Sequence, residues 1–176
     1  MLLKNPIEMQ LKHNNSKFKK KEFSIIIITD KVVRPANLGG LIRTVDAFGV
    51  KKIIFGGENI KLNRKTFYSS RSTEKIVDFE LNKDSIKMTH SYKKKGYKVL
   101  ALEITETSKP ITKFKVNNDS NFVLIVGSER FGIDNNLLHL CDEVYHIQMY
   151  GQNSSMNVVQ ATSIGLYEIT NKICIC

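Results

Sequence analysis

The sequence predicts an α/β protein in which a mostly parallel sheet of about six strands is flanked by helices. Short apolar runs alternate along the chain with longer segments whose apolar residues recur at helical spacing. The run FSIIIIT, residues 23–29, is uninterrupted, as expected for a strand buried on both faces of a parallel sheet. A helical segment separates it from the next run, which indicates a parallel β-α-β unit.

The remaining elements follow in alternation. Strands are predicted at residues 23–29, 52–55, 75–79, 98–102, 122–126 and 144–149. Asn37 and Gly49 are the expected N-cap and C-cap of the first helix. Further helices are predicted within 61–71, over 83–95, from Asp134 or Asn135 to His139, and from Ser154 or Ser155 to Ile173. Residues 117–121 are expected to form a polar turn.

Length, composition and net charge limit the kind of protein this is and the class of molecule it binds. The 176 residues fit one domain, residues 23–176, preceded by a basic arm over residues 1–22. Net charge is +10, which favours RNA or DNA over a membrane surface, although a merely basic soluble protein is the alternative. The three cysteines form neither a disulfide framework nor a metal-ligand set, so no metal is expected. We expect a cytoplasmic protein, because no signal segment or membrane span is apparent.

Glycines in the first helix suggest a close approach rather than a nucleotide fingerprint. Gly39 and Gly40 lie where alanine would stabilise a helix by up to about 1 kcal/mol more. The order NLGGLIR lacks the G-x-G-x-x-G spacing and no Walker lysine follows, which disfavours NAD and ATP. Arg43 alone would be interpreted as a surface arginine paired with Asp46.

Two polar loops predict a ligand site at the carboxyl ends of the strands. Hydroxyls and amides crowd the start of the last helix, at Asn153, Ser154, Ser155 and Asn157. An earlier loop, GSERFG, places Glu129 beside Arg130 between two glycines. In open α/β sheets, ligands bind at such strand–loop–helix corners.

Basic residues supply the candidate RNA contacts. In the segment 61–71 they are interleaved with Phe67 and Tyr68, which either stack on bases or belong to the core. The basic arm either contacts RNA or is simply solvated. The predicted RNA-binding residues are Lys19, Lys20, Lys21, Arg34, Arg64, Arg71 and Arg130.

Three motifs in order resemble the SpoU/TrmH family of RNA ribose methyltransferases, within the SPOUT superfamily. They are Asn37-x-Gly39-x-x-x-Arg43-Thr44, then Gly127-Ser128-Glu129-x-x-Gly132, then Ile147-Gln148-Met149-x-Gly151-x-x-x-Ser155-Met156-Asn157-Val158. The resemblance spans about residues 23–173. It implies a SPOUT-like fold with a C-terminal deep trefoil knot, which composition and periodicity do not show. It also implies a homodimer with its active site near the subunit interface.

The resemblance implies S-adenosyl-L-methionine as methyl donor and a ribose 2′-OH in structured RNA as acceptor, with tRNA ahead of rRNA. The implied donor-binding residues are Leu102, Gly127, Ile147, Met149, Ser155 and Met156. The implied catalytic set is Arg43, Asn37, Glu129, Ser155 and Asn157.

Arg43 has two possible roles within that family assignment. The family often treats the corresponding arginine as the base, yet a guanidinium stays protonated in proteins, so its pKa would have to be unusually perturbed. Alternatively, Arg43 holds the neighbouring phosphate and stabilises the developing alkoxide, while a phosphate oxygen or water takes the proton. We favour the second role, and expect Glu129 to form an ion pair with Arg43.

Two positions depart from the family pattern. Gln148 stands where proline is usual, and Val159 where serine is frequent. The first departure is expected to loosen the loop that binds the donor; neither removes a proposed catalytic group. The rival functions are a catalytically degenerate relative that only binds RNA, and a nucleotide-dependent oxidoreductase, against which the missing phosphate fingerprint argues.

Overall fold

A computed structural model describes residues 19–116, 121–153 and 155–175 of the chain. The strands are β1 (Phe23–Asp30), β2 (Val50–Gly56), β3 (Phe79–Lys83), β4 (Lys98–Leu102), β5 (Lys109–Pro110), β6 (Phe122–Gly127) and β7 (Glu143–His146). The helices are α1 (Pro35–Ala47), α2 (Arg64–Ser70), α3 (Ser85–Lys94), α4 (Asn135–Leu138) and α5 (Val158–Ile175).

The strands form one sheet in the order β3-β2-β1-β6-β4-β7-β5, and every neighbouring pair is parallel. The predicted α/β class with a parallel sheet is confirmed. The predicted strand count of about six is wrong, because the two-residue strand β5 adds a seventh at the edge beside β7. Nothing in the apolar pattern marks so short a strand.

Helices cover both faces of the sheet. On one face, alternate residues of the central strands such as Ile25 and Ile27 pack with α1 and α5. On the other face, their neighbours Ile26 and Ile28 pack with α3 and α4. Both sets are essentially inaccessible to solvent, which explains why β1 is an unbroken apolar run.

Several predicted boundaries are wrong, each for a local reason. The helix α1 begins at Pro35, because proline is well suited to the first helical position, so Asn37 lies inside the first turn and is not the N-cap. The strand expected at 75–79 is β3, about four residues later, since Arg71 and Ser72 adopt left-handed backbone and lead into a 3-10 turn over Thr73–Lys75.

At the C-terminal end, β7 stops at His146 and α5 begins at Val158, later than the predicted start at Ser154 or Ser155. Ser154, most of the basic arm (1–18) and residues 117–120 of the predicted polar turn lie outside the described residues. Asp134 caps α4 as predicted, with its side chain accepting from the Asn136 N–H at 2.9 Å. Within the described ranges, no helix is long and apolar enough to cross a membrane.

Candidate active site

A pocket lies at the carboxyl ends of three neighbouring strands, β4, β6 and β7, and is closed by the segment that precedes α5. The residues that line it are Leu102, Glu103, Ile104, Val126, Gly127, Ser128, Glu129, Gly132, His146, Ile147, Met149, Ser155, Met156, Val158 and Ala161. All six predicted donor-binding residues are among them. The strand ends therefore converge as the parallel topology requires.

The pocket has apolar walls and a tightly folded polar rim. Leu102, Ile147, Met149 and Met156 supply large apolar side chains at four of its lining positions. At the rim, a Cβ added to Gly127 would lie 2.2 Å from a backbone carbon of the next loop, so only glycine fits there. Such a site, apolar with a few fixed polar groups, suits a small organic ligand.

One acidic side chain ties two of the pocket loops together. Glu103, directly after β4, accepts the Ile133 N–H at 3.0 Å through one carboxylate oxygen and the Ile104 N–H at 2.9 Å through the other. Gly132, at φ +64°, passes so close that an added Cβ would lie 2.8 Å from the Glu103 carboxylate. Glu103 thereby fixes the loop that follows β6.

Three polar side chains from distant parts of the sequence meet beside the pocket, and we call them the amide–carboxylate cluster: Asn37, Glu129 and Asn157. The Asn37 amide donates to Glu129 Oε1. The Asn157 amide donates both to Asn37 Oδ1 at 3.1 Å and to Glu129 Oε1 at 3.2 Å. The cluster joins α1, the β6 loop and the start of α5.

Asn157 has a second role in the same geometry. Its Oδ1 accepts the Val159 N–H at 2.9 Å and its backbone carbonyl accepts the Ala161 N–H, so it caps α5. The side chain thus satisfies a free N–H of the helix with its oxygen while its nitrogen holds the cluster. Ser155 and Met156, just before it, line the pocket.

Arg43 does not join this cluster. Its side chain is exposed, it is not among the residues that line the pocket, and within the described chain it has no ion pair with Glu129 or Asp46. The expected Glu129–Arg43 pair is therefore wrong for the single chain, because Glu129 Oε1 accepts from two amides instead. Arg43 lies on the strip of α1 that neither α2 nor α5 covers.

The glycines of α1 permit close helix contacts on either side of that strip, as predicted. A Cβ on Gly39 would lie 2.2 Å from the Thr66 carbonyl oxygen of α2. A Cβ on Gly40 would lie 2.9 Å from a Val159 methyl of α5. The start of α1, with Asn37, is therefore wedged between the two helices.

The predicted RNA-binding residues separate into three groups. Lys19, Lys20 and Lys21 precede β1 and lie at the amino ends of the strands, about 25 Å from the pocket edge given the length of β1. Arg34 and Arg130 are exposed at the carboxyl edge, the latter with its guanidinium 5.0 Å from the Phe131 ring.

The third group is Arg64, the first residue of α2, and Arg71, its C-cap. Phe67 and Tyr68, for which core and surface positions were both open, are exposed on the same helix, by 46% and 77%. The core interpretation is therefore wrong for both rings.

Glu103, Ser128 and His146 line the pocket but were not among the predicted site residues. Glu103 and Ser128 lie just after the predicted strands 98–102 and 122–126, so the strand-end rule would have found them. His146 falls inside the predicted strand 144–149 and is a strand end only in the structure. The Ser108 hydroxyl lies 2.9 Å from His146 Nδ1 and so fixes the ring. Among the described residues, no group of three or more His, Cys, Asp and Glu side chains is placed to hold a metal ion.

Comparison with known proteins gives a consistent result. The model of the SpoU rRNA Methylase family matches residues 24–167. The tRNA (guanosine(18)-2′-O)-methyltransferase of Aquifex aeolicus is 29% identical over 166 residues, covering 92% of this chain and 76% of that protein. The 23S rRNA (guanosine(2553)-2′-O)-methyltransferase RlmP of Bacillus subtilis is 30% identical over 145 residues, covering 82% of this chain and 57% of that protein.

Other relatives are much longer than the matched region. The mouse tRNA (guanosine(18)-2′-O)-methyltransferase TARBP1 is 27% identical over 97% of this chain, which spans only 11% of that protein. Among solved structures, the A. aeolicus TrmH/SpoU tRNA modifying enzyme superposes with a TM-score of 0.77 at 27% identity, over 87% of this chain and 77% of that chain.

Proposed function

The chain belongs to the SpoU rRNA Methylase family, and from this premise we propose that it transfers a methyl group from S-adenosyl-L-methionine to a ribose 2′-OH of structured RNA. The relatives named above act on tRNA or on 23S rRNA, and we place tRNA ahead of rRNA as substrate. The observation on which the proposal chiefly rests is the pocket at the three strand ends, with the amide–carboxylate cluster at its rim.

The pocket fits the donor in its chemistry. Its apolar walls suit an adenine face, and the backbone groups of the strand-end loops can pair with the adenine edge. Leu102, Ile147, Met149 and Met156 would contact the donor, with Gly127 admitting it close to the backbone and Ser155 at the mouth. When bound, S-adenosylmethionine supplies an electrophilic methyl group on a sulfonium.

The cluster would position the acceptor. Glu129 is held by two amide donors, so its carboxylate stays fixed at the mouth of the pocket beside Asn37 and Asn157. A ribose hydroxyl is a weak nucleophile and needs in-line placement, which rigid neighbours provide. Because Asn157 also caps α5, the geometry of the helix start and that of the cluster are coupled.

Arg43 would act on RNA as a permanent cation. A guanidinium cannot readily take a proton, so we assign it to the phosphate next to the target ribose and to the charge that develops on the 2′ oxygen. A phosphate oxygen or water then accepts the proton. The absence of an ion-pair partner for Arg43 among the described residues favours this role, since no carboxylate competes for it.

A homodimer would complete the site. Arg43 does not line the pocket of its own chain, and the exposed side of α5 presents Ile164, Tyr167 and Ile175, of which Tyr167 is 61% exposed. We propose that these apolar residues contact a second copy and that its pocket then receives Arg43. The family resemblance, which implies an active site near the subunit interface, agrees with this arrangement.

We make three further proposals, of which the first follows from the family resemblance. The C-terminal segment passes through a loop to form the trefoil knot; β7 inserted between β4 and β5, with α5 returning to pack on α1, is compatible with that path. Residues 23–176 form the methyltransferase domain, and the basic arm 1–22 adds contacts to RNA phosphates. We place the reaction in the cytoplasm.

The experiment is a pair of measurements on the purified protein. Calorimetry measures S-adenosylmethionine binding, and tritium transfer from the donor into bulk tRNA and rRNA measures catalysis. We expect binding and transfer for the wild type. For Arg43→Ala we expect transfer to fall by about 100-fold or more with donor affinity retained, since loss of one charge-stabilising group typically costs 10²–10³ in rate.

Lys87→Ala, on the distant helix α3, is the control, because Lys87 is exposed and its one ion pair among the described residues is with Asp84 nearby. RNA binding without any transfer would instead identify a catalytically degenerate relative. A near-normal rate of methyl transfer by Arg43→Ala would contradict both roles considered for this residue.

A further inference from the structure

The helix α2 buries small polar side chains and exposes its aromatic ones. Thr66 and Ser70 are fully buried, whereas Phe67 and Tyr68 are 46% and 77% exposed. The buried hydroxyls have local partners: Thr66 Oγ1 accepts the Asn63 N–H at 3.3 Å, and Ser70 Oγ donates to the Phe67 carbonyl at 3.1 Å. The helix therefore docks through its small polar side chains, and its aromatic rings contribute little to the fold.

The exposed rings share their face with arginines. Arg64, Phe67 and Tyr68 stand at i, i+3 and i+4, which places them on one side of the helix. Arg71, at the C-cap, lies with its guanidinium carbon 5.7 Å from the centre of the Tyr68 ring, within cation–π range. In the described chain neither arginine has an ion-pair partner. We call these four side chains the α2 face.

The α2 face is anchored next to Arg43. The Thr66 carbonyl approaches Gly39 so closely that no Cβ fits between the two helices. Arg43 follows Gly39 by one helical turn, at i+4, and so lies on the same side of α1. A polyanion that contacts Arg43 therefore runs past α2.

We propose that the α2 face stacks on an unpaired nucleotide of the RNA substrate, adjacent to the nucleotide whose ribose is modified. This inference rests on the proposed RNA substrate. Tyr68 offers its ring to the base, Arg71 extends the stacking surface, and Arg64 contacts a phosphate. Aromatic rings flanked by arginines are the common means of holding single-stranded RNA. An apolar protein partner would have to bury two arginines without counter-charges, which is costly.

A fluorescence experiment tests stacking directly. The chain contains no tryptophan, so Tyr68→Trp in the full-length protein introduces a single reporter. The probes are an oligoadenylate of about 12 nucleotides, within the usual single-strand site size, and a blunt RNA duplex of the same length. We expect saturable quenching by the oligoadenylate and much less by the duplex. Equal or absent quenching with both probes would overturn the proposal.

Affinity measurements on total tRNA at fixed salt provide the second test. We expect Tyr68→Ala to weaken binding about tenfold and Tyr68→Phe to bind like the wild type, because stacking needs the ring and not the hydroxyl. We also expect Arg71→Ala to weaken binding, whereas its control Lys95→Ala should not. Lys95 likewise lies over a tyrosine ring, at 5.1 Å, but at the C-cap of α3 on the other face of the sheet.

Light scattering on the same variants separates RNA binding from self-association. If Tyr68→Ala dissociates a dimer while its tRNA affinity is unchanged, α2 is a protein interface and the proposal is wrong. The binding measurements require no methyl transfer, so a failure of the α2 face is distinguishable from a failure of the proposed catalysis.

Discussion

Replacing Gly39 by alanine should destabilise the protein even though alanine is the better helix former. The new Cβ would lie 2.2 Å from the Thr66 carbonyl oxygen, about 1.2 Å inside ordinary van der Waals contact. It would also lie 2.9 Å from the Ser70 nitrogen. These are backbone atoms, so rotation of a side chain cannot relieve the overlap, and α2 has to move away from α1.

The expected magnitude follows from two opposing terms. Overpacking typically costs roughly 1–3 kcal/mol, and the rigid backbone atoms met here place this overlap in the upper part of that range, at about 2–3 kcal/mol. Alanine in place of a helical glycine recovers roughly 1 kcal/mol. We therefore expect Gly39→Ala to lower the free energy of unfolding by about 1–2 kcal/mol, which for a chain of this size lowers Tm by about 2–8 °C.

The assay is urea denaturation followed by circular dichroism, with Gly40→Ala as the matched control. Gly40 lies in the same helix and gains the same propensity, but its nearest neighbours are the methyl groups of Val159, at 2.9 and 3.2 Å. A side chain moves aside more readily than a backbone, so we expect the free energy of unfolding of Gly40→Ala to stay within about 1 kcal/mol of the wild-type value. If Gly39→Ala were as stable as the wild type, or if both variants lost the same amount, the close contact between α1 and α2 would be wrong.

Three further predictions concern the pocket, the cluster and the sheet edge. Gly127→Ala should abolish donor binding in calorimetry, because its Cβ would overlap the backbone of the following loop; undiminished binding would contradict the pocket geometry. Asn157→Asp should keep the α5 cap but lower the rate of methyl transfer by about 100-fold, since a carboxylate cannot donate to Glu129 as the amide does at 3.2 Å. Asn157→Ala should lose transfer as well, and with the cap it should lose about 1 kcal/mol of unfolding free energy. Equal transfer by the wild type and both variants would refute the role of the cluster. The hydrogen bond from Lys52, then that from Lys83, lowers the pKa of Glu80 to about 2. Because this pKa is lowered in the folded state, the ionised Glu80 stabilises the protein above pH 4.5, and that contribution is lost as the pH falls towards 2. Glu80→Gln should therefore lose less unfolding free energy than the wild type over this pH interval. The same dependence of unfolding free energy on pH in the variant and the wild type would contradict the role of Glu80.

The position of the pocket could be predicted from the sequence, because the pattern of apolar residues shows where the buried strands end. Buried strands appear as apolar runs, and parallel strands bring their carboxyl ends to one edge, so the ends of the predicted strands are expected to converge. The family resemblance then named Leu102, Gly127 and Ile147 as residues of the site. The strand-end rule would have included Glu103 and Ser128 had it been applied to every strand end. It would have missed His146, because β7 ends there and not at Met149 as predicted.

The cluster and the place of Arg43 could be predicted only in part. Asn37 and Asn157 are separated by 120 residues, and their hydrogen bond depends on how α1 and α5 pack. Motif order grouped these residues, but it gave no distances, so the expected pairing of Glu129 with Arg43 overlooked the amides that occupy the carboxylate. Helix starts were misplaced where a proline set the boundary, as at Pro35.

Composition alone could not decide which side chains of α2 are buried and which are exposed. Phe67 and Tyr68 fit a core position by their size, and Thr66 and Ser70 fit the surface by their polarity. In the structure the hydroxyls are buried and the rings exposed, because the close approach at Gly39 leaves room for hydroxyls and not for rings. Local pattern gives no account of such a constraint from a neighbouring helix.

The most direct test of the central claim is the chemical position of the transferred methyl group. Bulk tRNA and rRNA are each incubated with the protein and tritiated S-adenosylmethionine, then hydrolysed in alkali, which cleaves only next to a free 2′-OH. We expect the label in alkali-resistant dinucleotides for the wild type and its loss for Arg43→Ala. Label recovered in mononucleotides would place the methyl group on a base, and an unlabelled RNA pool, tRNA and rRNA alike, would contradict the proposed reaction itself.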